Sequence, residues 1–378
     1  MAKLLAYCHQ SNWEGYDPYD ALNSPIFKSL PLLDFRVFRI GLTQVLKRAP
    51  LNTRPLLLIP KTCNPKAVAL FLSAIVKLSR LGLLHDVGLA KVMIEKLIER
   101  RSPDTQYWCW GYSFPWQTRT IIVPRGAPNL VCTTFVANAL LDAYEQFNDS
   151  HCLSMAVSGA EYILNDLYWT QNESIACFSY PLPTSRARVH NANLLGAALL
   201  CRVHKHTGEE KFLQPALRVA RYSANQQDEN GSWAYSELPT QKWVDNFHTG
   251  YNLCALSSIS KYLGTSEFES HITRGFRFYR NHFFRDDGAP KYFHNNVYPI
   301  DVHCVAQSII TLADLEDLDP GNVKLAHSVF RWAMTCLWDE RGYFYYRKLR
   351  VGTIKISYMR WSQAWMLLAL ATLLEHKE

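Results

Sequence analysis

VDNFHTGYNLCALSSISKYL, residues 244–263, opens with an acid, an amide and a histidine, then turns small and apolar. A helix whose body is apolar all round is buried, so its polar first turn must meet something other than packing. The same change of character recurs along the chain. It appears in NPKAVALFLSAIVKLSRL from Asn64, NLVCTTFVANALLDAY from Asn129, VHNANLLGAALLCRV from Val189, IDVHCVAQSIITLADL from Ile300 and SYMRWSQAWMLLALATLLE from Ser357. The starts lie 55 to 65 residues apart, the length of a helical hairpin with its loops.

Between these segments run amphipathic ones with a single wet face: VGLAKVMIEKLIERR from Val87, CLSMAVSGAEYILNDLYW from Cys152, KFLQPALRVARYSANQQ from Lys211, FESHITRGFRFYRNHFF from Phe268 and VKLAHSVFRWAMTCLW from Val323. Their apolar residues recur at three- and four-residue steps. LLDFRVFRIGLTQVLKR, residues 32–48, supplies a sixth. Six buried helices and six half-wet ones predict an inner and an outer ring. The reading is an all-α (α/α)6 barrel over residues 33–378, with an arm, 1–32, covering or lining its mouth. An open superhelix of helical pairs is the alternative architecture.

Short pieces rich in turn residues and aromatics follow most outer helices: QYWCWGYSF, ACFSYP, DENGSWAYS, DDGAPKYF and DERGYFYY. They read as short hairpins bordering the mouth where the inner helices begin.

The first turns of the inner helices then line the site. The third opens with Arg188, His190, Asn191 and Asn193, and the fourth with Asp245, Asn246, His248 and Tyr251. The fifth opens with Asp301, His303 and Gln307, and the sixth with Tyr358, Arg360, Trp361, Gln363 and Trp365. His248 and Tyr251 share a helix face. Asp245 and Asp301 read equally well as N-caps. WCWGYSFPWQTR offers Trp110, Tyr112, Trp116, Gln117 and Arg119, and the arm offers Trp13, Tyr16, Asp17, Tyr19 and Asp20. Aromatic faces make sugar platforms, and arginine grips a carboxylate bidentately.

Composition narrows the partners. The formal charge of +7 comes without a Lys/Arg-rich tract, which fits an anionic saccharide and gives no nucleic-acid reading. The 13% aromatic share is more than a core needs. Ten cysteines are scattered with no CxxC pair and read as reduced thiols of a cytoplasmic protein. No signal peptide and no apolar run of membrane-spanning length is read, so no membrane insertion is expected. Three histidines suggest zinc, but no local ligand spacing accompanies them, so neither metal nor cofactor is expected.

RWSQAWMLLALATL, residues 360–373, resembles the Gln-Ala-Trp helix starts of unsaturated glucuronyl hydrolases. WVDNFHTGYNLCALSSI and VHNANLLGAALL resemble inner helices of uronate epimerases, sugar 2-epimerases and related lyases. The repeat resemblance, to the six-hairpin (α/α)6 carbohydrate-active superfamily, runs from about residue 33 onward. GYDPYDALNSPIF and WGYSFPWQTR are similar to proteins of bacterial polysaccharide-biosynthesis loci, which implies a role in making or editing a glycan. HTGYNLCALSSI also resembles a zinc-histidine helix of prenyltransferase β-subunits, but the accompanying Asp and Cys are missing.

Three functions are expected from these residues. The first is proton abstraction beside a carboxylate, in a uronate C5-epimerase or lyase, with His248 as base, Tyr251 as acid or relay, and Arg119 with Asn191 as carboxylate binders. The second is glycoside hydrolysis by Asp245 and Asp301. The third is glycan binding without turnover. His190, His248, His303 and Trp361 should face one cavity, with Trp110 or Trp116 at its rim.

Overall fold

The computed structural model describes residues 1–30 and 34–376. In chain order its helices are α1 (Ala2–Gln10), α2 (Pro25–Lys28), α3 (Arg36–Arg48), α4 (Pro65–Arg80), α5 (Val87–Glu99), α6 (Leu130–Phe147), α7 (Ser150–Tyr162), α8 (His190–Thr207), α9 (Glu210–Ala224), α10 (Asn246–Leu263), α11 (Glu269–Phe283), α12 (Val302–Asp314), α13 (Asn322–Cys336) and α14 (Trp365–Glu375). Among the described residues α4, α6, α8, α10, α12 and α14 form the inner ring. Each packs on the next, and α14 returns to α4. That closure makes the fold an (α/α)6 toroid and removes the open superhelix.

Sequence pattern explains the two rings. α12 is buried from Val302 through Ala313, whereas α5 buries Ala90, Met93 and Leu97 as one stripe. Inner helices start on caps: Asn64 accepts from the Lys66 amide, Asn129 from Cys132, Asp245 from His248 and Asp301 from His303. Residues in the left-handed region end α6, α8 and α10 at Asn148, Gly208 and Gly264.

The sixth outer helix is not where the sequence pattern put it. The amphipathic stripe of LLDFRVFRIGLTQVLKR is real and forms α3, but it packs on the turn Asp20–Asn23 and on strand Trp116–Gln117, at the mouth. The sixth outer place belongs to α1. Leu4 and Cys8 of α1 are buried, and the Tyr7 hydroxyl donates to Ser357 Oγ at 2.9 Å. The expected boundary between residues 32 and 33 lies outside the described residues.

Short strands border the mouth. Trp116–Gln117 pairs with Ile122–Val123, Tyr168–Thr170 with Ala176–Phe178, and Trp338–Asp339 with Tyr343–Phe344. Ile300–Asp301, Arg347–Lys348 and Thr353–Ile354 form a three-stranded piece. DENGSWAYS and DDGAPKYF form only isolated bridges, such as Val189 with Ser236.

The last inner helix begins unusually. Met359–Ala364 winds as a wider π-type turn before α14, with the Gln363 amide bonded to the Tyr358 carbonyl five residues back. Residues 15–24 cross this turn. They come close because Gly15 has no Cβ, which would sit 2.6 Å from Met359 Cβ. The crossing is fastened by ions. Asp17 takes a bidentate contact from Arg360 at 2.6 and 2.8 Å, and Asp20 accepts from Arg54 at 2.7 Å.

Candidate active site

A cavity of about 500 Å³ opens where the inner helices begin. Its wall follows a simple rule. The second residue of every inner helix lines it: Lys66, Val131, Asn191, Phe247, His303 and, in the π-type turn, Arg360. The first residues point elsewhere, since one residue turns a helix by about 100°. Rim residues come from the arm and the strands: Tyr19, Tyr112, Trp116 and Arg119.

Four expected residues gather around the α10–α12 wall. Asp245 caps α10, and its Oδ2 also accepts from His248 Nδ1 at 2.6 Å and from Trp243 Nε1 at 2.9 Å. The carboxylate holds the proton on Nδ1 and leaves Nε2 as the basic nitrogen. His248 keeps 20% of its side-chain surface exposed, so that nitrogen can meet a ligand. One turn further, the Tyr251 hydroxyl and His303 Nε2 share a hydrogen bond of 2.7 Å. Gly250 allows this contact: a Cβ there would sit 2.6 Å from Thr311 Oγ1 of α12.

Burial keeps both members of the second pair neutral. It raises the Tyr251 hydroxyl well above its ordinary range, and it lowers His303 well below 6.5, with Lys66, Arg360 and His248 pushing the same way. The His303 ring stacks between Phe247 and Trp365, with centroids 4.6 and 4.5 Å away. His303 Nδ1 and Asn191 Oδ1 are buried without a hydrogen-bond partner among the described residues.

Lys66 was not singled out from the sequence, where a lysine after Asn-Pro looks like a solvated helix start. It is 3% exposed, and its ammonium sits over Phe135 at 4.0 Å, Trp365 at 5.2 Å and Tyr251 at 5.7 Å. No carboxylate pairs with it among the described residues. Burial first, then Arg360, lowers it well below the ordinary lysine range. Registering the inner helices on their caps would have found it, because it stands two residues after Asn64 just as His303 stands two after Asp301. Lys47 and Gln44 of α3 also reach the cavity.

Other expected residues lie elsewhere. His190 is the first residue of α8 and turns outward, where its Nδ1 lies 3.4 Å from Ser223 of α9. Asn246, first in α10, likewise accepts from Tyr279 of α11 at 3.0 Å. Trp110 is buried, with Nε1 on the Leu97 carbonyl, so of the two expected rim tryptophans only Trp116 lines the cavity. Asn193 clasps the Phe178 amide and Gln363 clasps both backbone groups of Phe344, so both serve packing. Gln117 accepts from Arg39 at 2.8 Å. Tyr16 lines a neighbouring groove with Lys61. Asp17 is spent on Arg360, and Trp365 lies beneath the floor against Tyr251 and His303. Arg188 pairs with Glu237 outside the cavity.

Asp301 is fully buried. It caps α12 and accepts from Arg347 at 2.6 Å and from Trp361 Nε1 at 2.8 Å. It does not line the cavity, so Asp245 and Asp301 do not form the facing carboxyl pair of a glycosidase. Among the described residues no group of three or more His, Cys, Asp or Glu is placed to hold a metal ion. All ten cysteines are free. Among the described residues no helix is long and apolar enough to cross a membrane.

No protein-family model matches the chain, and no curated protein matches it by sequence. Solved structures do match. A sugar epimerase from a ruminal bacterium superposes with a TM-score of 0.63 at 14% identity, over 83% of this chain and 90% of that one. Cellobiose 2-epimerase from Spirochaeta thermophila gives 0.62 at 13%, over 82% and 84%. An α-mannanase of glycoside hydrolase family 76 from Bacteroides thetaiotaomicron gives 0.60 at 13%, over 82% and 86%. At such identity the likeness concerns architecture, and it establishes the (α/α)6 toroid for this chain.

Proposed function

We propose that this chain is a carbohydrate-active enzyme that abstracts a proton from a sugar carbon next to a carboxylate, as a uronate C5-epimerase or lyase does. The observation that carries the reading is the pair of imidazoles on adjacent inner helices. His248 is oriented by Asp245, and His303 is joined to Tyr251. One basic nitrogen and one hydrogen-bonded acid in a single cavity are what moving a proton off and onto carbon requires. His248 takes the proton, and the Tyr251–His303 pair returns one to carbon in epimerisation or protonates the substrate's departing glycosidic oxygen in elimination.

The substrate class follows from charge. Lys66 and Arg119 border the cavity without a carboxylate partner among the described residues, and Lys47 bonds to the Tyr19 hydroxyl. Cations so placed suit a carboxylate whose negative charge spreads onto oxygen as the proton leaves. The ruminal sugar epimerase and the Spirochaeta thermophila cellobiose 2-epimerase share the architecture, which supports this reading.

The test is proton exchange in deuterium oxide with uronate-containing oligosaccharides. Deuterium at C5 of recovered sugar supports the epimerase, and a new ultraviolet-absorbing C=C supports the lyase. A new reducing end with neither signal would replace the proposal by a hydrolase. Binding with no conversion would leave a glycan-binding protein.

A further inference from the structure

The segment around α3 has two apolar faces. The inner one, with Leu42, Leu46, Leu57 and Ile59, packs with Ala21 and Tyr16. The outer one has no cover among the described residues. Val37 and Val45 of α3 are each 67% exposed, and Leu51, Leu56 and Leu58 in the following loop are 74, 79 and 62% exposed. Scattered exposed leucines are ordinary, but a cluster marks a contact surface. Here eight of the eighteen large apolar side chains exposed among the described residues fall between positions 26 and 58.

Charge identifies the partner. Exposed Arg48 shares the valine side of α3, within about 20° of Val37 around the helix, and exposed Arg36 stands beside Val37 at the helix start. Lys61 and Lys355 share a groove with Leu51. The nearby carboxylates are Asp34, paired with Arg39, and Glu14 in the same groove. The patch is therefore apolar at its tip and positive at its margin. Leucines this exposed stand out from the surface, as insertion between headgroups requires. A bilayer accepts such side chains between its headgroups and attracts the surrounding cations.

We propose that this face adsorbs to an anionic phospholipid bilayer. Lys47 of the same helix, about a third of a turn from the valine stripe, reaches into the cavity, so adsorption brings the mouth beside the bilayer. The contact is peripheral and independent of the chemistry proposed above.

The experiment is co-sedimentation of the full chain with vesicles of phosphatidylcholine alone or mixed equally with phosphatidylglycerol. The chain should pellet with the mixed vesicles, remain in solution with the neutral ones, and be released at about 1 M salt, where the screening length is about 3 Å. Removing a cation should weaken partitioning about fivefold, hence roughly thirtyfold for the Arg36→Gln, Arg48→Gln double variant. Leu51→Gln, Leu56→Gln and Leu58→Gln together should abolish pelleting while the melting temperature holds, since all three side chains are exposed. No pelleting of the wild-type chain with anionic vesicles overturns the proposal. So does pelleting that the triple variant retains, or a concentration-dependent dimer that the triple variant dissolves while vesicles are ignored.

Discussion

Two walls of the same cavity use buried charge in opposite ways. Where the arm crosses the last inner helix, the buried charges are matched: Asp17 with Arg360 and Asp20 with Arg54. Elsewhere in the cavity, among the described residues, Lys66 has no anion, His303 has a bare Nδ1, and His248 keeps its second nitrogen for a ligand. Both walls include polar first turns of apolar helices, Arg360 on one and Lys66, His248 and His303 on the other, and the sequence pattern does not separate them. Geometry does: matched pairs fix the position of the arm, and unmatched groups are left for chemistry. Removing a matched charge should cost stability, and removing an unmatched one should cost activity.

The largest effect should be His248→Ala, which is expected to slow proton exchange by about 10²–10⁴ while circular dichroism stays unchanged. Asp245→Asn is the finer probe. Asparagine still caps α10 but cannot hold an imidazolium, so the fold should survive with reduced exchange. Parallel loss of helicity and activity in either variant would move the α10 wall into the architectural class.

Asp17→Ala should act in reverse. It leaves the Arg360 guanidinium buried and unpaired, which typically costs about 3–5 kcal/mol. Urea unfolding measures the loss. Lys66→Met should raise stability at neutral pH, by about 0.5–2 kcal/mol, while exchange falls, because a buried amine without an anion is replaced by an apolar chain of similar length. A destabilised Lys66→Met protein would mean that its contacts with Phe135 and Trp365 are structural.

His190 gives a smaller test, through pH. Burial lowers it from 6.5 to about 4 in the folded chain. Between those values the unfolded chain binds more protons, so acid favours unfolding. Above 6.5 neither state is protonated, and the contribution is complete. Stability should fall from pH 6.5 to 4, by up to about 3 kcal/mol from this group. His190→Asn should flatten that part of the profile and leave exchange near wild type, because the ring faces Ser223 and not the cavity.

The contrast between His190 and His248 also shows what was legible. Ring count, helix order and the polar mouth follow from repeated patterning. The phase of each first turn does not, because it depends on where the cap falls. His190 stands one residue after its cap and His248 three after its own, so they differ by about 200° around their helices. Lys66 was hidden for the same reason. The arm's ion pairs are non-local, Asp17 and Arg360 standing 343 positions apart and Asp20 and Arg54 34, and no local pattern announces them. α3 misled because a stripe reveals that a face is buried and not against what.

Arg119 should give the smallest effect and the narrowest test of the anionic substrate. It is exposed at the rim, with its guanidinium 5.8 Å from the centre of the Trp243 ring and Nη1 donating to the Thr240 carbonyl. Solvent screens a charge there, with a Debye length of about 10 Å at 0.1 M salt, so KM should rise with salt. Arg119→Lys keeps the charge but loses the planar fork that can stack on Trp243 and hold a carboxylate at once. A rim contact made equally in the ground and transition states changes KM and not kcat. The expected change is a KM rise of about three- to tenfold. If Arg119→Lys matches wild type while KM still rises with salt, the carboxylate is held deeper, and Lys66 is the cation left to meet it. If KM ignores salt as well, the cations of this mouth do not serve an acidic sugar, and the imidazole pair would then act beside a neutral carbonyl carbon.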